Sequence, residues 1–340
     1  MQPMDLAFPL LPRALSLCLA AFACSLAGSY AQAPGPTPAP GFGIERLDPA
    51  LDSLLAPDAG VENLASGFKW AEGPLWKQGS VWFSDVPANT VYQWKEGDPE
   101  ASIALKPSGD FHGGSQGSNG LALEASGRLL LCQHGERQVA RLEPDGTFTA
   151  LATHFEGKRF NSPNDLTLAR DGTLFFTDPP YGLGKATPPE LDFHGVYALS
   201  TSGSLRLLIR DLRFPNGIAL SPDEKTLYVA VSDPANSRIM AYHLDAEGRA
   251  VDGREFFAAQ SLKSPERKGG CDGLKIDRAG NLWATGPGGV LILSPQGKHL
   301  GTILTGKTAA NCAFGGPERD TLYITATNLL LRVKTLARGL

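Results

Sequence analysis

From residue 62 onward the apolar positions fall into short runs cut by polar turns, and no stretch holds the three-to-four spacing of a long helix. Six segments share one layout: a polar residue, an apolar run, a polar turn that usually holds glycine, and a second apolar run. They are "EGPLWKQGSVWFSD" (72–85), "NGLALEASGRLLLCQH" (119–134), "NDLTLARDGTLFFTD" (164–178), "NGIALSPDEKTLYVAVSD" (216–233), "DGLKIDRAGNLWAT" (272–285) and "NCAFGGPERDTLYIT" (311–325). Their first residues stand 47, 45, 52, 56 and 39 positions apart. An all-β unit of that length holds about four strands and matches a propeller blade. The chain is therefore expected to be all-β, a six-bladed β-propeller.

Segments between the hairpins supply outer strands: "TVYQWKEG" (90–97), "QVARLEPDG" (138–146), "HGVYALSTSG" (194–203), "RIMAYHLDAEG" (238–248) and "GVLILSPQG" (289–297). "VENLASGF" (61–68) is expected to pair with the last blade and close the ring, removing an open sheet edge. A two-domain sandwich is the alternative, but it leaves a repeat running through the whole chain unexplained.

Upstream, "LDPALDSLL" (47–55) reads as one or two helical turns, and "PGPTPAPGFG" (34–43) as an extended linker. Arg13 followed by "ALSLCLAAFACSLAG" and small residues has the form of an export signal, with cleavage after Ala31. The apolar run is short for a membrane span, so a retained anchor is the weaker alternative; a lipoprotein cysteine at Cys24 is poorly flanked. The expected organisation is a signal peptide over 1–31, a Pro/Gly linker over 32–44 and the propeller over 45–340. Such a chain is periplasmic or secreted, with no stable membrane insertion after cleavage, and monomeric or dimeric.

Composition changes this picture little. With 31 Lys and Arg against 35 Asp and Glu, and no basic cluster, nucleic acid is not an expected partner. Cys132, Cys271 and Cys312 are widely spaced, without a CxxC or paired histidines, and read as buried free thiols.

The chemistry lies in the residues that lead the repeats: Glu72, Asn119, Asn164, Asn216, Asp272 and Asn311. In a propeller the first strand of each blade lines the central channel, so these six stand at equivalent heights around one axis. Taken singly, Asn or Asp before Gly is a turn former. Glu72 is not. Converging carboxylate and carboxamide oxygens are what a hard cation needs, which points to a divalent ion at the channel mouth, Ca²⁺ first, with Mg²⁺, Mn²⁺ or Zn²⁺ as alternatives. The returning strands bring His134, Asp85, Asp178 and Ser232/Asp233 back to the same rim. "PPYGLGKATPPELDFHG" (179–195) reads as a lid carrying Tyr181, with Phe193 or His194 turned inward. "DFHGGSQGS" (110–118) reaches the same rim.

"AEGPLW" (71–76), "SPNDL" (162–166), "FPNGIALSPD" (214–223) and "CDGLKIDRAGNLW" (271–283) resemble the gluconolactonase/senescence-marker-protein (regucalcin-like) family, from about residue 45 to the C-terminus. The resemblance implies a six-bladed propeller with one divalent cation and hydrolysis of a sugar lactone such as gluconolactone. It implies Glu72, Asn216 and Asp272 as metal ligands, Asn164 on metal or substrate, and Asn119 and Asn311 as pocket lining; Tyr181 joins the substrate side from the lid reading alone. Asp272 resembles the family's base, with Asp178 and His134 as alternatives. Ser162 departs from the pattern, because animal members carry Arg there. Two other functions remain open: hydrolysis of an organophosphate or another ester at the same site, and a calcium-bound propeller that binds sugar or protein without chemistry.

Overall fold

The computed structural model describes residues 41–113, 116–184 and 187–340. The expected signal peptide, and the expected linker up to residue 40, lie outside the described residues.

Four-stranded antiparallel sheets follow one another along the chain. The first is built from Ala71–Lys77, Ser80–Asp85, Thr90–Lys95 and Ser102–Leu105. The second comprises Ser118–Leu123, Leu129–Gln133, Gln138–Leu142 and Phe148–Ala152. The third holds Leu166–Leu168, Leu174–Asp178, Gly195–Leu199 and Leu205–Ile209. Pro215–Leu220, Thr226–Val231, Arg238–Leu244 and Ala250–Ala258 make the fourth. The fifth contains Leu274–Ile276, Leu282–Gly286, Gly289–Leu293 and His299–Thr305. Ala309–Gly315, Thr321–Ala326 and Leu329–Lys334 form the sixth. The first strands touch in cyclic order, the sixth returning to the first, so the sheets are the six blades of a propeller.

Closure is as expected: Val61–Ser66 pairs antiparallel with the last strand, Val61 opposite Val333 and Ser66 opposite Leu329. One boundary differs. Phe42–Arg46 is a fifth strand on blade 5, paired from Phe42–Thr305 to Arg46–Gly301, whereas residues 42–44 had been assigned to the linker. Phe42 and Ile44 alternate with polar residues and pack on the core between blades 5 and 6, a two-residue signal hidden by the Gly and Pro around it.

The helical turns expected over 47–55 are a 3₁₀ helix, Pro49–Ser53, capped by Asp48 Oδ1, which accepts from Ala50 N at 2.9 Å. Leu51, Leu54 and Leu55 are buried in the same core. Every other interface between blades has its own apolar cluster, from Phe83 with Tyr323 between blades 1 and 6 to Phe176 with Cys132 between blades 2 and 3. Cys132, Cys271 and Cys312 are buried free thiols. Among the described residues no helix is long and apolar enough to cross a membrane.

Candidate functional site

A shared irregularity puts the leading residues on the channel. Ladder register slips between Glu72 and Leu75, Ser118 and Leu121, Pro215 and Ile218, and Ala309 and Asn311. In blades 3 and 5 the ladder starts later, and Asn164 N and Asp272 N donate to Thr177 O at 2.8 Å and Thr285 O at 3.3 Å. Bulging frees these side chains from the alternation that would bury them between blades. The glycine that usually follows is a matter of space. A Cβ on Gly73 would stand 2.2 Å from Asn119 O, and one on Gly217 2.2 Å from Asp272 O. Hydroxyls tie each blade to the next: Ser84 Oγ donates to Asn119 O at 2.8 Å, Thr177 Oγ1 to Asn216 O at 2.7 Å, and Ser232 Oγ to Cys271 O at 2.5 Å.

At this end of the channel lies a cavity of about 290 Å³. Glu72, Asn119, Asn164, Asn216, Asp272 and His134 line it, Tyr181 stands over it, and Trp70, Val86 and Pro87 form an apolar wall. Larger hollows lie between blades 2 and 3 and at the opposite mouth, but neither gathers these carboxylates.

The electrostatics are those of negative charge enclosed in a dry channel. Burial, and then the charge of Asp165, pushes Glu72 up to about 7. Burial, followed by repulsion from Glu72 and Asp165, holds Asp272 well above the usual carboxylate range. Among the described residues, Asp272 Oδ1, Asn119 Oδ1 and both ring nitrogens of His134 are buried without a hydrogen-bond partner. Asn216 Nδ2 donates to Ser232 Oγ at 3.0 Å, which fixes the plane of its carboxamide. Orphaned buried acceptors and mutually repelling carboxylates mark a place built for something else to complete. The donors are oxygens from two carboxylates and three carboxamides, a set that suits a hard cation. Among the described residues no three His, Cys, Asp or Glu side chains group in a metal-binding arrangement, so such an ion would depend on the asparagines.

Three sequence expectations change here. Asp178 does not line the cavity; its oxygens accept from Asn161 N at 2.8 Å, Asn161 Nδ2 at 3.2 Å and Ser162 N at 2.7 Å. Burial pushes it up to about 7 while those donors pull it down, and with its lone pairs engaged it anchors a loop instead of serving as a base. Asn311 is also behind the cavity wall: its Nδ2 donates to Asp165 Oδ2 at 3.2 Å and its Oδ1 accepts from Cys312 N at 2.9 Å. Neither Phe193 nor His194 turns inward. Phe193 packs on Phe155 and Arg210, and His194 Nδ1 accepts from Phe214 N at 3.2 Å.

A profile of the SMP-30/gluconolactonase/LRE-like region matches residues 70–328. The chain belongs to that family. It is 38% identical over 319 residues to a gluconolactonase of Zymomonas mobilis, covering 87% of each chain. The gluconolactonase structure from Xanthomonas campestris superposes with a TM-score of 0.78 at 36% identity, over 88% of this chain and 98% of that one. Regucalcin of Xenopus laevis is 27% identical over 266 residues, 76% of this chain and 83% of that one.

Ser162 ties down the segment that carries Tyr181. Ser162 Oγ donates to Pro179 O at 2.6 Å and accepts from Gly182 N at 2.8 Å, fastening the lid on both sides of Tyr181. Tyr181 stacks on Phe214 with ring centres 5.8 Å apart. Gly182 lies against His134, where a Cβ would stand 2.6 Å from His134 Cβ and 2.7 Å from its ring Cγ. Sequence reasoning assigned no role to Trp70 or Asp165. Trp70 belongs to no repeat; Asp165 had a signal, because it stands where four of the six repeats have glycine.

Proposed function

We propose that the protein is a lactonase whose site takes a sugar lactone such as gluconolactone, with Glu72, Asn164, Asn216 and Asp272 holding a divalent cation, Ca²⁺ by preference. The observation that carries this is one cavity with two buried, mutually repelling carboxylates and orphaned oxygens on Asp272 and Asn119, in a chain 38% identical to a gluconolactonase. When bound, such a cation supplies Lewis-acid polarisation of the ester carbonyl and offsets negative charge on its oxygen as water adds.

The remaining work falls to the chain's own side chains. Tyr181 and the Trp70, Val86 and Pro87 wall enclose the lactone ring and exclude bulk water. Asn119 Oδ1 is free to accept from a substrate hydroxyl. His134, which burial lowers to about 4, is neutral at pH 7 and has both nitrogens free, so it can accept a hydrogen bond from the attacking water. Asp272 Oδ1 is the second acceptor at the same wall. The leader over residues 1–31 supports export to the periplasm or medium.

Purified protein tested with a pH indicator against a lactone panel, with chelator and then with Ca²⁺, Mg²⁺, Mn²⁺ or Zn²⁺, is expected to release acid only with metal. Asp272→Asn is expected to lose at least about a hundredfold in kcat/KM, the scale of losing one group that acts on the reacting centre. Acid release that chelator leaves unchanged, or an Asp272→Asn variant at wild-type rate, would overturn the assignment.

A further inference from the structure

Beneath the cavity, on the channel axis, a third carboxylate is enclosed. Asp165 is 2% exposed, and its neighbours come from other blades. Asn311 Nδ2, from blade 6, donates to Asp165 Oδ2 at 3.2 Å. Lys275 Nζ, from blade 5, lies 3.9 Å from the same Oδ2. Asp165 Oδ1 accepts from Leu166 N at 2.9 Å. Lys275 is not part of the cavity wall; it lines the hollow at the opposite mouth and is 28% exposed there.

We infer that Asp165 and Lys275 form an axial charge pair that sets how tightly the cavity holds its cation. This rests on the cation reading above. Three carboxylates, Glu72, Asp272 and Asp165, converge on the channel, and Lys275 Nζ stands beside the deepest of them, Asp165. Lys275 offsets Asp165, which leaves Glu72 and Asp272 as the carboxylates that would face a divalent ion. Removing Lys275 therefore makes the channel more attractive to a cation, and removing the charge of Asp165 makes it less so. Opposite signs from two partners in contact are what an electrostatic role predicts. A purely structural role predicts loss from both.

The experiment is calorimetric titration of Ca²⁺ into chelator-stripped protein at pH 8, a readout independent of turnover. Asp165→Asn is expected to weaken Ca²⁺ binding by about tenfold, and Lys275→Met to tighten it by a factor of roughly three to ten, for charges several ångströms apart at intermediate dielectric. Lys275→Arg is expected to stay near wild type and shows that the position tolerates substitution. The double variant Asp165→Asn/Lys275→Met is expected to return toward wild type. Unchanged or weaker binding by Lys275→Met, with wild type binding normally, overturns the inference alone. A wild type that takes up no Ca²⁺, Mg²⁺ or Mn²⁺ overturns the cation reading and the inference with it.

Discussion

His134 shows how burial sets chemistry at one side chain. It is 2% exposed, its ring nitrogens meet no partner, and its titration is lowered to about 4 by loss of solvent alone. The imidazolium is favoured more in the unfolded chain, near 6.5, than in the folded one. The folded state thus keeps its full advantage above pH 6.5 and loses it as pH falls toward 4. Between pH 7.5 and 4.5 this one group removes about 2 to 3 kcal/mol of stability. Urea unfolding of His134→Gln is expected to show a shallower acid loss than wild type by that amount. Parallel pH profiles would mean that the ring is solvated or paired in solution. The same shift implies that no limb near 6.5 in the activity profile belongs to His134.

At the scale of the strand, the decisive contact is the close approach of neighbouring first strands behind the leading residues. Gly217 N donates to Asp272 O at 3.0 Å, and there is no room for a side chain between them. Gly217→Ala forces a Cβ to 2.2 Å from that carbonyl, so the backbone carrying Asp272 must move. The expected cost is about 1–3 kcal/mol of overpacking, read by chemical unfolding, with a loss of cation affinity that Gly60→Ala, in open space, does not share. This packing also explains what was legible in the sequence. Glu72, Asn119, Asn164, Asn216 and Asp272 are legible because the blades repeat one irregular entry to the first strand, a bulge in blades 1, 2 and 4 and a late-starting ladder in blades 3 and 5, and repetition survives in sequence. Asn311 shares the position but not its neighbours: Cys312 replaces glycine, and Asp165 draws the carboxamide below the cavity. Asp178 misled for another reason. It ends a strand at the rim, as does Asp85, whose oxygens take Lys69 N at 2.9 Å and Trp70 N at 3.1 Å. Both carboxylates clasp the loop entering their own blade. A hydrogen bond to main chain 16 or 17 residues away leaves no mark on composition or spacing.

For the whole molecule, two N-terminal strands do different work, and removing them separately distinguishes structure that closes the ring from structure that covers it. Val61–Ser66 supplies the outer strand of blade 6, ties the N-terminal side of the propeller to its last blade and covers the edge of Leu329–Lys334. Phe42–Arg46 only extends blade 5, adding the partly buried Phe42 and Ile44 and the Glu45–Arg267 pair, whose oxygen and nitrogen stand 2.9 Å apart. A chain begun at residue 47 keeps the buried Leu51, Leu54 and Leu55 and the closure. Two half-buried apolar side chains amount to roughly 1.5–3 kcal/mol, so that chain is expected to fold, to melt lower by roughly 2–5 °C, and to keep the proposed cation binding. A chain begun at residue 67 loses the closing ladder together with those three leucines, about 1.5–3 kcal/mol for each, and exposes the edge at Leu329–Lys334. Because the five leading residues that line the cavity converge only when the ring is closed, it is expected to lose the cooperative thermal transition and the proposed Ca²⁺ binding together. If the chain begun at residue 67 still melted cooperatively and bound Ca²⁺, closure would be dispensable and the site would be held by contacts between neighbouring first strands alone.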